Sequence, residues 1–207
     1  MSIATPRVTA PGPVPGAAPG LAVEARRRHL VWQPLLTGLA PGVAAAVHAG
    51  DTLRVAVVEL PGRSRFSPDA VHRTLRRTTT WPVANACAAL ATLDGDASRP
   101  SIAVADVAPD GSVTLAVRDA PPAIVLSPDR AARALAPAGD GEPWTLGPDD
   151  ALLLCSATFL EDPPSALSRV RGSALGPTTL AELHESLAAA GRIGATALVR
   201  SHPGPPA

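Results

Sequence analysis

The chain has 207 residues, 46% hydrophobic and 17% charged, which excludes a largely disordered chain and allows one domain with a sizeable core. Its 18 basic and 18 acidic residues cancel, so no overall field recruits nucleic acid or an anionic membrane. Aromatic residues make up only 2%, which argues against a base-stacking surface.

No run of about 20 uninterrupted apolar residues offers a membrane span. The N-terminus lacks a charged segment followed by an apolar one, so no signal peptide is expected and the cytoplasm is the expected location. Residues 1–20 carry Pro6, Pro11, Pro13, Pro15 and Pro19 with three glycines and are expected to form a disordered or extended arm. A domain is expected over 21–201, followed by a short disordered tail over 202–207.

Leu21 to Leu36 is expected to be a helix, with Arg26, Arg27 and Arg28 on a solvated face. Gly42 to His48 and Leu53 to Glu59 read as two strands around a tight Gly50-Asp51 turn. A helix follows from Ser67: the serine caps, Pro68 suits the first position and Asp69 the positive end of the dipole. Val71 and Leu75 supply its apolar face. Arg73, Arg76 and Arg77 give it a basic patch, either a solvated face or a docking point. The Ala-rich run from Val83 to Leu93 favours a second helix.

Strands are expected over Ile102 to Val107 and Val113 to Val117, joined by Ala108-Pro109-Asp110-Gly111, in which Pro sets φ and Gly accepts φ > 0. Ile124 to Leu126 and Ala151 to Cys155 are further strands, the latter entered through the polar turn Leu146-Gly147-Pro148-Asp149-Asp150. Thr179-x-x-Glu182 forms a capping box for a helix with Leu180, Leu183 and Leu187 on one face, closed by Gly191. Ala195 to Arg200 is the last strand. Antiparallel runs of strands with helices in two clusters argue for an α+β fold. Leu53–Glu59 and Ala151–Cys155, both unbroken apolar runs, are expected to be central strands. Cys87 and Cys155 lie in apolar runs and read as buried free thiols. The five histidines show no metal-ligand spacing, and no Gly-rich phosphate loop is present.

The turn, the leucine-rich strand and the sequence Cys155-Ser156-Ala157-Thr158-Phe159 resemble a segment of SpoIIE-like members of the metal-dependent (PPM-type) protein phosphatases. In that family the strand ends in Tyr-Thr-Asp-Gly. Other segments resemble the family in the same order. Trp32-Gln33-Pro34-Leu35-Leu36 and Pro41-Gly42-Val43 are similar to its opening Leu-Gln-x-x-Leu-Leu-Pro and Pro-Gly-Val. Val55 to Ser64 falls where the family has a strand and Asp-x-x-Gly-His-Gly. Ile102 to Pro122 resembles its strand–turn–strand, with Arg118-Asp119-Ala120-Pro121-Pro122 in place of Ala-Gly-His-Pro-Pro. Ala195 to Arg200 is similar to its closing strand, which the family precedes with Asp-Asp. The resemblance implies two packed antiparallel sheets flanked by helices.

It also implies a two-metal centre of manganese or magnesium that activates a water for attack on a phosphoserine or phosphothreonine. Several carboxylates must converge to hold two such cations. Val43 to Gly50, where the family has an acidic segment, contains no acid. Glu59 replaces the next Asp, Ala157 the third, and Ile193-Gly194 the final pair. Glu59 is thus the one metal-ligand candidate at these positions, and no cofactor is expected. Arg63 stands where the family has His; alone or with Arg65 it is suited to a phosphate or carboxylate, or is a solvated arginine beside a turn.

Two functions follow. The first is a catalytically inactive pseudophosphatase acting as a bacterial regulatory, protein-binding module. The resemblance implies an anti-sigma-factor antagonist or a related regulator as its partner. The second is an active manganese- or magnesium-dependent serine/threonine phosphatase that uses other acids, such as Asp94, Asp96, Asp106 or Asp119.

Overall fold

A computed structural model of the chain describes residues 30–38, 42–59, 67–93, 99–127, 130–135, 144–156 and 194–202. The expected N-terminal arm, residues 203–207 of the tail and the capping-box helix lie outside the described residues, as do Arg63, Arg65, Asp94, Asp96 and Ala157.

Among the described residues, ten strands and two helices follow in the order β1 (Val31–Gly38), β2 (Gly42–Ala49), β3 (Thr52–Glu59), α1 (Pro68–Arg77), α2 (Val83–Ala91), β4 (Ser101–Val107), β5 (Ser112–Arg118), β6 (Ala123–Ser127), β7 (Arg130–Leu135), β8 (Trp144–Thr145), β9 (Ala151–Cys155) and β10 (Ala195–His202). They form two five-stranded antiparallel sheets, ordered β1-β10-β9-β6-β7 and β2-β3-β4-β5-β8. The α+β architecture of two packed antiparallel sheets matches the expectation, and β3 and β9 are interior strands.

The period of two along each strand divides the core. Val55 and Val57 of β3, Ala103 and Ala105 of β4, Leu152 and Leu154 of β9 and Ala197 and Val199 of β10 fill the space between the sheets. Ala56, Val58, Ile102 and Val104 face the other way, onto Val71 and Leu75 of α1 and Val83, Cys87 and Leu90 of α2. Ile124, Leu153 and Leu198, on the other face of the first sheet, are buried as well.

The local signals for α1 act as expected. The Asp69 N–H donates to Ser67 Oγ at 3.2 Å, and Pro68 opens the helix. The β4–β5 turn closes through Gly111, with φ of 85°, whose N–H donates to the Ala108 carbonyl at 2.9 Å. Asp150 organises the turn into β9: its carboxylate accepts from the Gly147 N–H at 2.9 Å and from Ser127 Oγ at 2.5 Å.

One expectation is corrected. Residues 31–36, assigned to a helix, belong to strand β1. Pro34 removes an amide donor and its ring clashes with a preceding helical carbonyl, so a helix through it is costly. β1 is an edge strand, where a proline is tolerated. Trp32 anchors it, buried, with Nε1 donating to the Ala108 carbonyl at 2.8 Å. Strands β7 and β8 carry no strong apolar alternation and were not expected from the sequence.

Candidate functional site

The chain segments expected to carry metal ligands end near one another. Glu59 closes β3 and sits opposite Gly42, the first residue of β2, and opposite Ser101, the first residue of β4. Ser156 follows β9, and its N–H donates to the Ala195 carbonyl at 2.9 Å. Its Oγ accepts from the Ala195 N–H at 3.2 Å. A side chain on Gly42 would meet the Ala195 nitrogen and the Gly194 carbonyl carbon at 2.7 Å. The start of β10 therefore lies directly against the start of β2, and the sheets meet here at backbone distance.

Alternation decides which way the side chains point. Glu59 continues the series Leu53, Val55, Val57, and Ser101 the series Ala103, Ala105, Val107. Ser156 continues Leu152 and Leu154. By this alternation Glu59 and Ser101 fall on the face turned to the other sheet, at one end of it, while Ser156 lies just past β9 with its hydroxyl bonded to Ala195 of β10. Glu59 is 8% exposed, Ser101 7% and Ser156 fully buried. Ser101 Oγ finds no hydrogen-bond partner among the described residues. The end of the sandwich is therefore polar.

Magnesium and manganese require oxygen ligands, several of them anionic when two ions share a site. Among the described residues this end supplies the buried carboxylate of Glu59, the exposed one of Asp119 in the turn after β5, two serine hydroxyls and backbone. That donor set does not fit a two-metal centre. Nor does any group of three or more His, Cys, Asp or Glu suited to a metal occur among the described residues.

Of the alternative acids, Asp106 is engaged elsewhere, while Asp119 lies at this end of the second sheet, one position past Arg118, which pairs with Ile102. Asp106 lies on β4 and is engaged by Arg54 of β3, directly across the ladder. Arg54 Nε donates to Asp106 Oδ1 and Nη2 to Oδ2, both at 2.6 Å. The same guanidinium donates from Nη1 to the Thr78 carbonyl and from Nη2 to the Trp81 carbonyl, the latter at 2.7 Å. Arg54 is 1% exposed, and this clamp ties the second sheet to the turn between the helices. Sequence reasoning missed it. The signal was one cation in the apolar run of β3 and one anion in that of β4. Asp119 is exposed in the turn after β5 with φ of 50°. It occupies the place of glycine in the resembled motif, and Asp is among the few residues that tolerate this conformation.

Cys87 and Cys155 are free and buried, as expected. Burial pushes both thiols up from the ordinary cysteine value; at Cys87 the Arg118 charge acts in the opposite direction. Neither is activated as a nucleophile.

No family model matches the chain, and no curated protein matches it in sequence. Solved structures do match. The RsbU and RsbW domains of a Mycobacterium tuberculosis protein superpose with a TM-score of 0.63 at 17% identity, covering 84% of this chain and 62% of that one. The PP2C phosphatase domain with a regulatory fragment of SpoIIE, a Bacillus subtilis cell fate determinant, gives 0.67 at 12% identity, over 85% of this chain and 65% of that one. RsbX in complex with magnesium gives 0.59 at 12% identity, over 82% and 94%. The chain thus spans less than two-thirds of the first two. At these identities the likeness is one of fold, and the fold is that of SpoIIE-like, PPM-type phosphatase domains.

Proposed function

We propose that this chain is a pseudophosphatase: a PPM-type fold that has lost its metal centre and works in the cytoplasm as a regulatory, protein-binding module. The observation that carries the reading is the residue set at the converging segment ends. Where the fold's chemistry calls for several carboxylates, the sequence has Glu59, Ala157 and Ile193-Gly194, and an opening strand from Val43 to Gly50 with no acid. Arg63 and Arg65 follow β3 in sequence and, in this reading, serve an anionic group of the partner. The partner we propose is a regulator such as an anti-sigma-factor antagonist, by analogy with structural neighbours described as RsbU, RsbW and stressosome components.

The test is calorimetric titration with manganese and magnesium, paired with hydrolysis of p-nitrophenyl phosphate and a phosphoserine peptide. The expected result is no saturable two-site isotherm and no turnover above background. Manganese-dependent turnover that disappears in Glu59→Ala would overturn the reading in favour of a working phosphatase.

A further inference from the structure

Helix α1 separates two surfaces. Val71 and Leu75 are buried against the second sheet, while Asp69, Arg73, Arg76 and Arg77 are exposed. At 3.6 residues per turn the three arginines fall within an arc of about 100°. None of them has an ion-pair partner among the described residues. Four residues beyond Arg77, Trp81 is 48% exposed, more than any other large apolar side chain described. Pro82 beside it is exposed too.

Helix energetics explain part of this. Arg76 and Arg77 in the last turn compensate the negative end of the dipole. The dipole acts only over that turn, and it gives no reason to leave an indole in water. A tryptophan buries about 150–250 Å² when fully covered, and about half of that remains open at Trp81. The backbone under Trp81 is also held rigid. Buried Arg54, itself gripped by Asp106, donates to the carbonyls of both Thr78 and Trp81. A side chain displayed from a fixed backbone loses less entropy on binding. Trp and Arg are the residue types that carry most of the energy in protein interfaces, and the guanidinium fork matches a carboxylate.

We propose that the α1–Trp81 surface docks an acidic protein segment, its carboxylates on Arg73, Arg76 and Arg77 and an apolar side chain on Trp81. Charge complementarity selects the occupant, since three guanidiniums without an ion-pair partner among the described residues share one face of the helix that leads into the turn of the exposed Trp81. An anionic membrane supplies the same charge, but at about 1 kcal/mol per basic residue three arginines give weak surface binding. The proposal rests on the reading that the chain acts by binding a protein, and it is independent of whether catalysis is lost.

The experiment selects peptides from a phage-displayed random dodecapeptide library on the immobilised full chain, then measures the enriched peptides by fluorescence anisotropy. The expected outcome is net-acidic peptides with an apolar residue. Their binding should weaken about tenfold or more in an Arg76→Glu/Arg77→Glu double variant and several-fold in Trp81→Ala. It should be unchanged in Arg133→Glu, which reverses an exposed charge on the other sheet. Circular dichroism melting establishes that each variant is folded. Enrichment of neutral or basic peptides, no enrichment, or binding that survives Arg76→Glu/Arg77→Glu would overturn the proposal. So would binding to phosphatidylglycerol vesicles without acidic-peptide binding. Turnover in the phosphatase assay would leave the docking result standing, and loss of docking would leave the metal titration standing, so the two ideas fail separately.

Discussion

Arg54 shows how one side chain ties several parts of the molecule together. Its bidentate pair with Asp106 and its two carbonyl acceptors satisfy four donor directions of a guanidinium that is almost wholly buried. Breaking a buried pair from one side strands the other charge at a cost of about 3–5 kcal/mol. Arg54→Ala is therefore expected to destabilise the domain by roughly that amount in urea denaturation, whereas Arg54→Met combined with Asp106→Leu should lose much less. The two thiols make a second prediction at this scale. Burial raises both, so the folded state holds their protons more tightly than the unfolded chain does. That contribution to stability is complete below the unfolded thiol value of about 8.5 and is lost as pH rises above it. Urea midpoints should fall from pH 8 towards pH 10, and Cys155→Ala should flatten the fall. In the native protein both thiols should resist iodoacetamide at pH 8, and rapid labelling of Cys155 without unfolding would contradict its placement.

Elements here are decided by what lies beside them. β1 contains a proline yet forms a strand, because it sits at an edge and pairs on one side only, with β10. β2 begins at Gly42, where the backbone of Gly194 and Ala195 takes the space a side chain would need. Gly42→Ala should force the two strand starts apart and cost about 1–3 kcal/mol in thermal or urea unfolding. A variant as stable as the parent would mean that the sheets do not meet at this point. The helices follow local rules more closely: the Ser67 cap, Pro68 and the Arg76 and Arg77 pair at the C-terminal end each agree with the macrodipole.

The two sheets bring ends of distant segments to one place, and that convergence governs any attempt at repair. In the proposed pseudophosphatase reading, Ala157→Asp adds one carboxylate next to Ser156, while β2 still lacks an acid and Ile193-Gly194 stands where the resembled family has an acidic pair. Two-metal catalysis needs both ions held, one side generating the nucleophile and the other stabilising the leaving oxygen. Ala157→Asp alone is thus expected to give no manganese-dependent hydrolysis of p-nitrophenyl phosphate. Robust turnover in that single variant would show that other acids complete the site.

Periodicity and turn chemistry in the sequence determined most of the architecture. Alternation and apolar runs located β2–β6, β9 and β10, the cap and proline located α1, and the order of these parts pointed to the fold. That Glu59 is the one acid at the positions the family resemblance picks out is an expectation read from the sequence alone. Tertiary structure alone decided the rest. It converted Val31 to Leu36 from helix to strand, since an edge position beside β10 outweighs local pattern. It paired Arg54 with Asp106 across 52 residues and so removed Asp106 from the pool of metal ligands. It set Gly42 against Gly194 and Ala195. Each of these depends on contacts between residues far apart in the chain, which local sequence signals do not encode.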